Sequence, residues 1–155
     1  MNQITNVGLI GLGAMGRGMA GSLRRAGFTV HVYDIRSEAT QAFAAEGGVA
    51  CASPAEVGAA CEVVVGVLVN AAQTEEVLFG AHGAAAAMKK GSLFVMCSTV
   101  DPNWSIALES RLNALGLLYL DAPISGGAAK AASGEMTMMS AGSPDAYTKA
   151  GRLLD

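Results

Sequence analysis

The sequence predicts an α/β fold, a doubly wound, mostly parallel sheet in a single domain, from three observations. Short apolar runs alternate with helix-like stretches along the whole chain, a pattern that builds parallel strands joined by helical crossovers. The first run is apolar almost without interruption, as a strand covered on both faces requires. A glycine triplet, Gly11, Gly13 and Gly16, separates that run from the first helix, and a second run ends on an acid, Asp34.

The elements follow in order. Residues 4–10 read as a strand, and residues 15–26 as a helix with Met15, Met19, Ala20 and Leu23 on one side and Arg17, Arg24 and Arg25 on the other. Gly27 ends it. Residues 28–33 are rich in β-branched and aromatic side chains and form strand two. Ser37 caps a helix over residues 37–45, which Gly47-Gly48 terminates, and residues 49–51 make a short strand. Ser53-Pro54 reads as an N-cap followed by the first helical residue. Residues 62–69 contain the strongest β-type run, residues 71–79 a short helix, and residues 84–89 another before Gly91. Strands are expected at residues 92–97, 117–120 and 135–141. Helices are expected at residues 102–115, with Asp101 as N-cap, and at residues 144–154. Right-handed crossovers then wind the chain around one sheet, and no repeat or long linker interrupts it.

Composition narrows the function. With 52% hydrophobic and only 15% charged residues, the 155-residue chain belongs to the close-packed class and not the disordered one. The net charge of −3, without a basic cluster, argues against nucleic acid. Arg24-Arg25 and Lys89-Lys90 sit near expected helix ends, where cations suit the dipole. Cys51, Cys61 and Cys97 lack metal-ligand or CxxC spacing and read as reduced, mostly buried side chains. His31 and His82 are isolated, so no metal site is expected. No leader-like segment precedes the first strand and no apolar run reaches the ~18 residues of a membrane span. A cytoplasmic protein is the expectation.

The glycine turn carries the chemistry. In Gly11-Leu12-Gly13-Ala14-Met15-Gly16 the first glycine allows a tight turn, the second keeps side chains away from a pyrophosphate, and the third lets the helix approach the strand. The helix N-terminus then offers unpaired N–H groups and the positive end of its dipole. Asp34 follows at close to the ~20-residue spacing of a dinucleotide fingerprint, where its carboxylate takes ribose hydroxyls and repels a 2′-phosphate. That favours NAD over NADP. Arg36 pulls the other way, because a guanidinium pairs with phosphate.

Ligands of such sheets sit beyond the carboxyl ends of the strands. Two more segments lie there, Leu68-Val69-Asn70 and Ser98-Thr99-Val100. The apolar pair Leu68-Val69 suits an adenine or the middle of a cofactor. The hydroxyls of Ser98 and Thr99 suit either a cofactor contact or a cap for the helix at Pro102. A further segment, Asp121-Ala122-Pro123-Ile124-Ser125-Gly126-Gly127, also follows a strand. It reads as a Gly-rich turn, or as a nest of N–H groups for a carboxylate.

The run GLIGLGAMGRGMA, the Ser98-Thr99 pair, and DAPISGG followed by Ala131 and Gly134 resemble the β-hydroxyacid dehydrogenase family. That family includes 3-hydroxyisobutyrate dehydrogenase and relatives of 6-phosphogluconate dehydrogenase, and the resemblance covers essentially the whole chain. It implies oxidation of a hydroxyl β to a carboxylate with hydride passing to NAD, and L-threonate is among the implied substrates. It implies that Gly11, Leu12, Gly13, Ala14, Met15 and Gly16 hold the pyrophosphate and that Asp34, with Ile35 and Arg36, meets the adenosine. Leu68, Val69 and Thr99 line the rest of the cofactor site, and Ser125, Gly126 and Gly127 hold the substrate carboxylate. The family's catalytic Lys and its nearby Asn stand on a helix beyond this domain. Neither Lys130 nor Lys149 matches that position, and no residue here is assigned a catalytic role. The expectation is a cofactor-binding half, inactive alone, whose helical partner domain is absent and whose full-length enzyme is a homo-oligomer. Three alternatives stand beside it: an NADPH-dependent reductase of glyoxylate or succinic semialdehyde, an imine reductase relative, and a non-catalytic nucleotide-sensing module.

Overall fold

The computed structural model describes residues 5–125, 127–135 and 137–154. One seven-stranded sheet organises them. Its parallel strands are β1 (Asn6–Ile10), β2 (Thr29–Tyr33), β3 (Val49–Ala50), β4 (Val63–Gly66), β5 (Leu93–Met96) and β6 (Leu118–Asp121). The helices between them are α1 (Ala14–Arg25), α2 (Ser37–Ala45), α3 (Pro54–Ala60), α4 (Ala71–Phe79), α5 (Ala84–Ala87) and α6 (Pro102–Ala114). Beyond β6 come β7 (Ile124–Ser125), α7 (Gly127–Ser133), β8 (Thr137–Met138), β9 (Ala141–Gly142), α8 (Pro144–Ala150) and a 3₁₀ turn at Gly151–Leu154.

The strand order is β3-β2-β1-β4-β5-β6-β9. The chain winds outward from β1 to β3, returns, and winds outward again from β4, so the topological switch lies between β1 and β4. β9 runs antiparallel to β6 at the edge, and β7 pairs with β8 in a separate two-stranded sheet. Each face of the main sheet carries its own core. One holds Leu9, Met19, Ala20, Val30, Phe43 and Val65; the other holds Ile10, Val57, Val64, Leu78, Phe94 and Leu108. Neighbouring strand residues such as Leu9 and Ile10 therefore face opposite cores, the reason the strands read as unbroken apolar runs.

Local chemistry sets most boundaries. Ser53 Oγ accepts from Glu56 N–H at 3.2 Å, and Asp101 Oδ1 from Asn103 N–H at 2.8 Å. Asn70 caps α4 by accepting from Gln73 N–H at 2.9 Å. Other expectations are corrected. Ser37 does not cap α2 but is its first residue, because Arg36 takes the cap position and turns its N–H back to Asp34. The single strand expected over residues 135–141 is two short strands in different sheets. Met139 N–H bonds to Pro123 C=O between them, and the chain crosses from β7 to β6 there. The last helix stops at Ala150, because Gly151 adopts φ +49 and the following turn tightens. Lys149 pairs with Glu62 at 3.3 Å and is only 26% exposed. The start of the first expected strand, Ile4, lies outside the described residues.

Cys51, Cys61 and Cys97 are all free thiols. Burial pushes Cys61 and Cys97 up to about 12, which leaves both as inert packing groups. Among the described residues no helix is long and apolar enough to cross a membrane, and no cluster of His, Cys, Asp or Glu could hold a metal ion.

Candidate functional site: a crevice at the β1–β4 switch point

Hydrogen bonding continues one residue past the strand ends and fixes the carboxyl edge of the sheet. Gly11 N–H donates to Tyr33 C=O (3.0 Å), Val67 N–H to Ile10 C=O (2.9 Å), Cys97 N–H to Gly66 C=O (3.0 Å) and Ala122 N–H to Met96 C=O (2.8 Å). The glycine turn, Asp34, Leu68 and Ser98 therefore leave the sheet side by side.

The three glycines meet different constraints. Gly11 adopts φ +105, and a Cβ there would collide with the Val67 carbonyl, so both conformation and space require glycine. A Cβ at Gly16 would collide with the Gly11 carbonyl, which shows how closely α1 lies on the turn. Gly13 has nothing within 4 Å of where its Cβ would be. Its φ of −65 and ψ of −174 are open to any residue, so packing does not explain it. Gly13 is the N-cap of α1, no side chain caps that helix, and no acid stands in its first turn. The uncapped, positive end of a 12-residue helix thus opens onto free space. Ala14 is exposed, Met15 half-buried, and Leu12 buried beneath them.

Asp34 is more engaged than its sequence position suggests. Its carboxylate accepts from Leu12 N–H (2.6 Å, Oδ2), Arg36 N–H (2.8 Å, Oδ1) and Arg36 Nε–H (3.1 Å, Oδ1). Arg36 also reaches the Leu12 carbonyl at 3.1 Å. Burial alone would raise the Asp34 carboxyl. The bonds from Arg36 N–H, Leu12 N–H and the Arg36 side chain outweigh it and hold the group below the ordinary carboxylate value. Asp34 is therefore an anion at neutral pH, and it ties the glycine turn to the end of β2. The next residue, Ile35, is 89% exposed, an apolar surface at the mouth of the crevice.

Across the switch point, Leu68 is half-buried and Val69 is 79% exposed. Ser98 is buried and bonds twice to Leu68: its hydroxyl accepts from Leu68 N–H at 3.2 Å and donates to Leu68 C=O. Its hydroxyl is thus engaged by the Leu68 backbone and does not cap α6, whose N-cap is Asp101 as the sequence suggests. Thr99 is exposed beside it. Ser98→Ala is expected to lower stability by about 1–2 kcal/mol, because it leaves the Leu68 N–H and C=O without their partner. Urea unfolding of the variant measures this, and an unchanged midpoint would contradict it.

The segment from Asp121 sits on the same edge but not as a simple turn. Asp121 ends β6, and its buried Oδ1 lacks a hydrogen-bond partner, while burial pushes its carboxyl upward. Ser125 ends β7 and is exposed, and Gly127 already starts α7; Gly126 lies outside the described residues. The carboxyl end of α7 meets the second half of α1. Arg25 bonds to the Ala132 carbonyl, and a Cβ on Gly134 would approach Ser22 Oγ at 2.8 Å.

The switch-point crevice, the open glycine and the anchored acid define a dinucleotide-binding domain. Comparison with known proteins makes this specific: the chain belongs to the family described as the NAD binding domain of 6-phosphogluconate dehydrogenase, matched over residues 6–155. It is 61% identical over 145 residues to L-threonate dehydrogenase of Cupriavidus necator, covering 94% of this chain and 49% of that protein. It is 37% identical over 155 residues to the mitochondrial 3-hydroxyisobutyrate dehydrogenase of Mus musculus, covering 100% of this chain and 46% of that protein. The crystal structure of 3-hydroxyisobutyrate dehydrogenase from Salmonella typhimurium superposes with a TM-score of 0.91 at 43% identity, over 96% of this chain and 52% of that one. The chain thus spans about half the length of the relatives it matches.

Proposed function

We propose that this chain forms the NAD-binding half of a dehydrogenase that oxidises a small β-hydroxyacid, L-threonate first among them. The observation that carries the cofactor reading is the open space at Gly13, set against an uncapped α1 N-terminus. The 61% identity to an L-threonate dehydrogenase supports the substrate.

In this reading the backbone of Gly11, Leu12, Gly13, Ala14, Met15 and Gly16 wraps the pyrophosphate, and α1 neutralises it with N–H groups and its dipole. Asp34 takes the ribose hydroxyls, while Ile35 and Arg36 border the adenosine. Leu68, Val69 and Thr99 cover the remaining length of the dinucleotide. The Ser125 hydroxyl and the N–H groups of Gly126 and Gly127 hold the substrate carboxylate. A nicotinamide held there would supply the hydride acceptor for the hydroxyl-bearing carbon, and the hydroxyl proton would pass to a base. No side chain of this chain is assigned that base; the greater length of the relatives, of which this chain spans about half, supports its acting as the cofactor-binding part of a longer enzyme.

Fluorescence titration with NADH tests the cofactor reading, with saturable binding as the expected result and a flat titration as the contrary one. The substrate is tested on the complete enzyme containing this chain, where L-threonate should reduce NAD faster than 3-hydroxyisobutyrate does. A reductase working with NADPH is the second reading, favoured by the 55% exposed Arg36 side chain beside Asp34. NADPH binding tighter than NADH would select it.

A further inference from the structure

We propose that the cavity between α6 and the β6–β9 edge binds an organic cation, a guanidinium carried on an aliphatic stem. The proposal does not depend on the reading of the dinucleotide crevice.

The cavity lies on the sheet face where Tyr119 packs with Phe94 and Leu108, not on the face that α1 covers. Its volume is about 460 Å³, within the range of small-molecule sites. The floor is polar. Ser105 and Tyr119 are 4% and 3% exposed, and their hydroxyls lie 2.7 Å apart. Asp121 and Glu109 add two carboxylates, and Pro102 and Ile106 supply an apolar wall. Ile106 is 63% exposed, so that wall stands open to solvent.

The hydrogens available at the floor decide what it can hold. Ser105 bonds through its side chain to Asp121. A carboxylate only accepts, so the single hydroxyl hydrogen of Ser105 is used there. The Ser105–Tyr119 bond then takes its hydrogen from Tyr119 Oη. Both hydroxyl hydrogens are spent within the floor, and what remains are acceptors: Tyr119 Oη, the Glu109 carboxylate, and Asp121 Oδ1, which is buried without a partner. The helices α6 and α8 begin beside the cavity, but Asp101 and Ser143 already accept from N–H groups of their first turns. No Lys, Arg or His lines the cavity. Two carboxylates and no free side-chain donor call for a donor-rich cation. Water supplies hydrogens but not the opposite charge. Burial accordingly raises the Asp121 carboxyl more than its Ser105 bond lowers it, as for a charge without a counter-ion.

Shape selects among cations. Among the described residues no three His, Cys, Asp or Glu come together to hold a metal ion. A guanidinium is planar, carries five donors, and sheds water more readily than an ammonium. It can meet several floor acceptors at once while an aliphatic stem lies along Pro102 and Ile106. A free alkylguanidine and an arginine side chain present this same group.

Calorimetric titration of the 155-residue chain with butylguanidinium tests the proposal, with butylurea as the neutral counterpart and a capped arginine tripeptide as the side-chain form. Fluorescence of Trp104, the single tryptophan of the chain and the neighbour of Ser105, reports where binding occurs. Saturable binding of butylguanidinium with a change in Trp104 emission is expected, and none of butylurea. Tripeptide binding extends the site to arginine side chains, and its absence restricts the site to free alkylguanidines; either result supports a guanidinium site. Asp121→Asn is expected to weaken binding at least about tenfold, the size of one charge-assisted hydrogen bond. Ile106→Lys places a like charge at the exposed wall and leaves the floor intact, so it decides the matter should Asp121→Asn fail to fold; a similar loss is expected. A native chain that does not bind butylguanidinium overturns the proposal. So does equal binding of butylurea, or an affinity unchanged in folded Asp121→Asn or in Ile106→Lys.

Discussion

Gly16→Val is expected to cost about 3 kcal/mol or more of stability. The added side chain meets the Gly11 carbonyl, a backbone group. That carbonyl has no room to retreat. Gly11 is held by its N–H bond to Tyr33 C=O and is itself packed against the Val67 carbonyl. The helix has to lift instead, and α1 carries Met19 and Ala20, both buried in the core beneath it. Lifting them returns apolar surface to water at ~25 cal/mol per Å². Exchanging glycine for a better helix former recovers less than ~1 kcal/mol, which does not offset the clash. Urea unfolding of Gly16→Ala and Gly16→Val should show a graded loss, and a Val variant with the parent midpoint would refute the close approach of helix and turn.

Gly13→Val is expected to do the reverse, leaving the fold nearly intact while lowering NADH affinity at least about 100-fold. The fold tolerates it because the position has an ordinary extended conformation and nothing within 4 Å. The stability cost should stay under about 1 kcal/mol, the difference between glycine and a β-branched residue at an N-cap. Binding fails because the new side chain fills the space where backbone N–H groups and the helix dipole would meet the pyrophosphate. Losing charge-assisted contacts of that kind costs ~3 kcal/mol, which is about two powers of ten in affinity. Parallel unfolding and NADH titrations of the same preparation separate the two effects. A variant that binds NADH like the parent removes the assigned role of Gly13, and one that unfolds assigns it to packing instead.

The contrast between these glycines shows what the sequence could convey. Their spacing between an apolar run and a helix is a local pattern, so the turn, the helix and Asp34 were legible as one unit. The apolar runs likewise marked their strands to within a few residues, because a strand buried on both faces has no polar side to hide it. Ser37 and Ser98 bear different partners from those their positions suggest. A hydroxyl near a helix start looks like a cap, but Arg36 holds that position at α2; at α6 Asp101 caps as its position suggests, while Ser98 bonds to a loop thirty residues earlier in the chain. Residues 135–141 were misread because an extended run has the same appearance whether it joins one sheet or two.

The sequence by itself determined the doubly wound sheet, the dinucleotide turn and the resemblance to hydroxyacid dehydrogenases, since all three rest on patterns short enough to read along the chain. Only the tertiary structure decided that β1 and β4 flank the crevice and that α7 packs against α1. Only the structure showed Asp34 bonded to both the turn and Arg36. Those relations join segments distant in sequence, and their partners are chosen by packing and by the need to satisfy polar groups leaving the sheet, which no local pattern records.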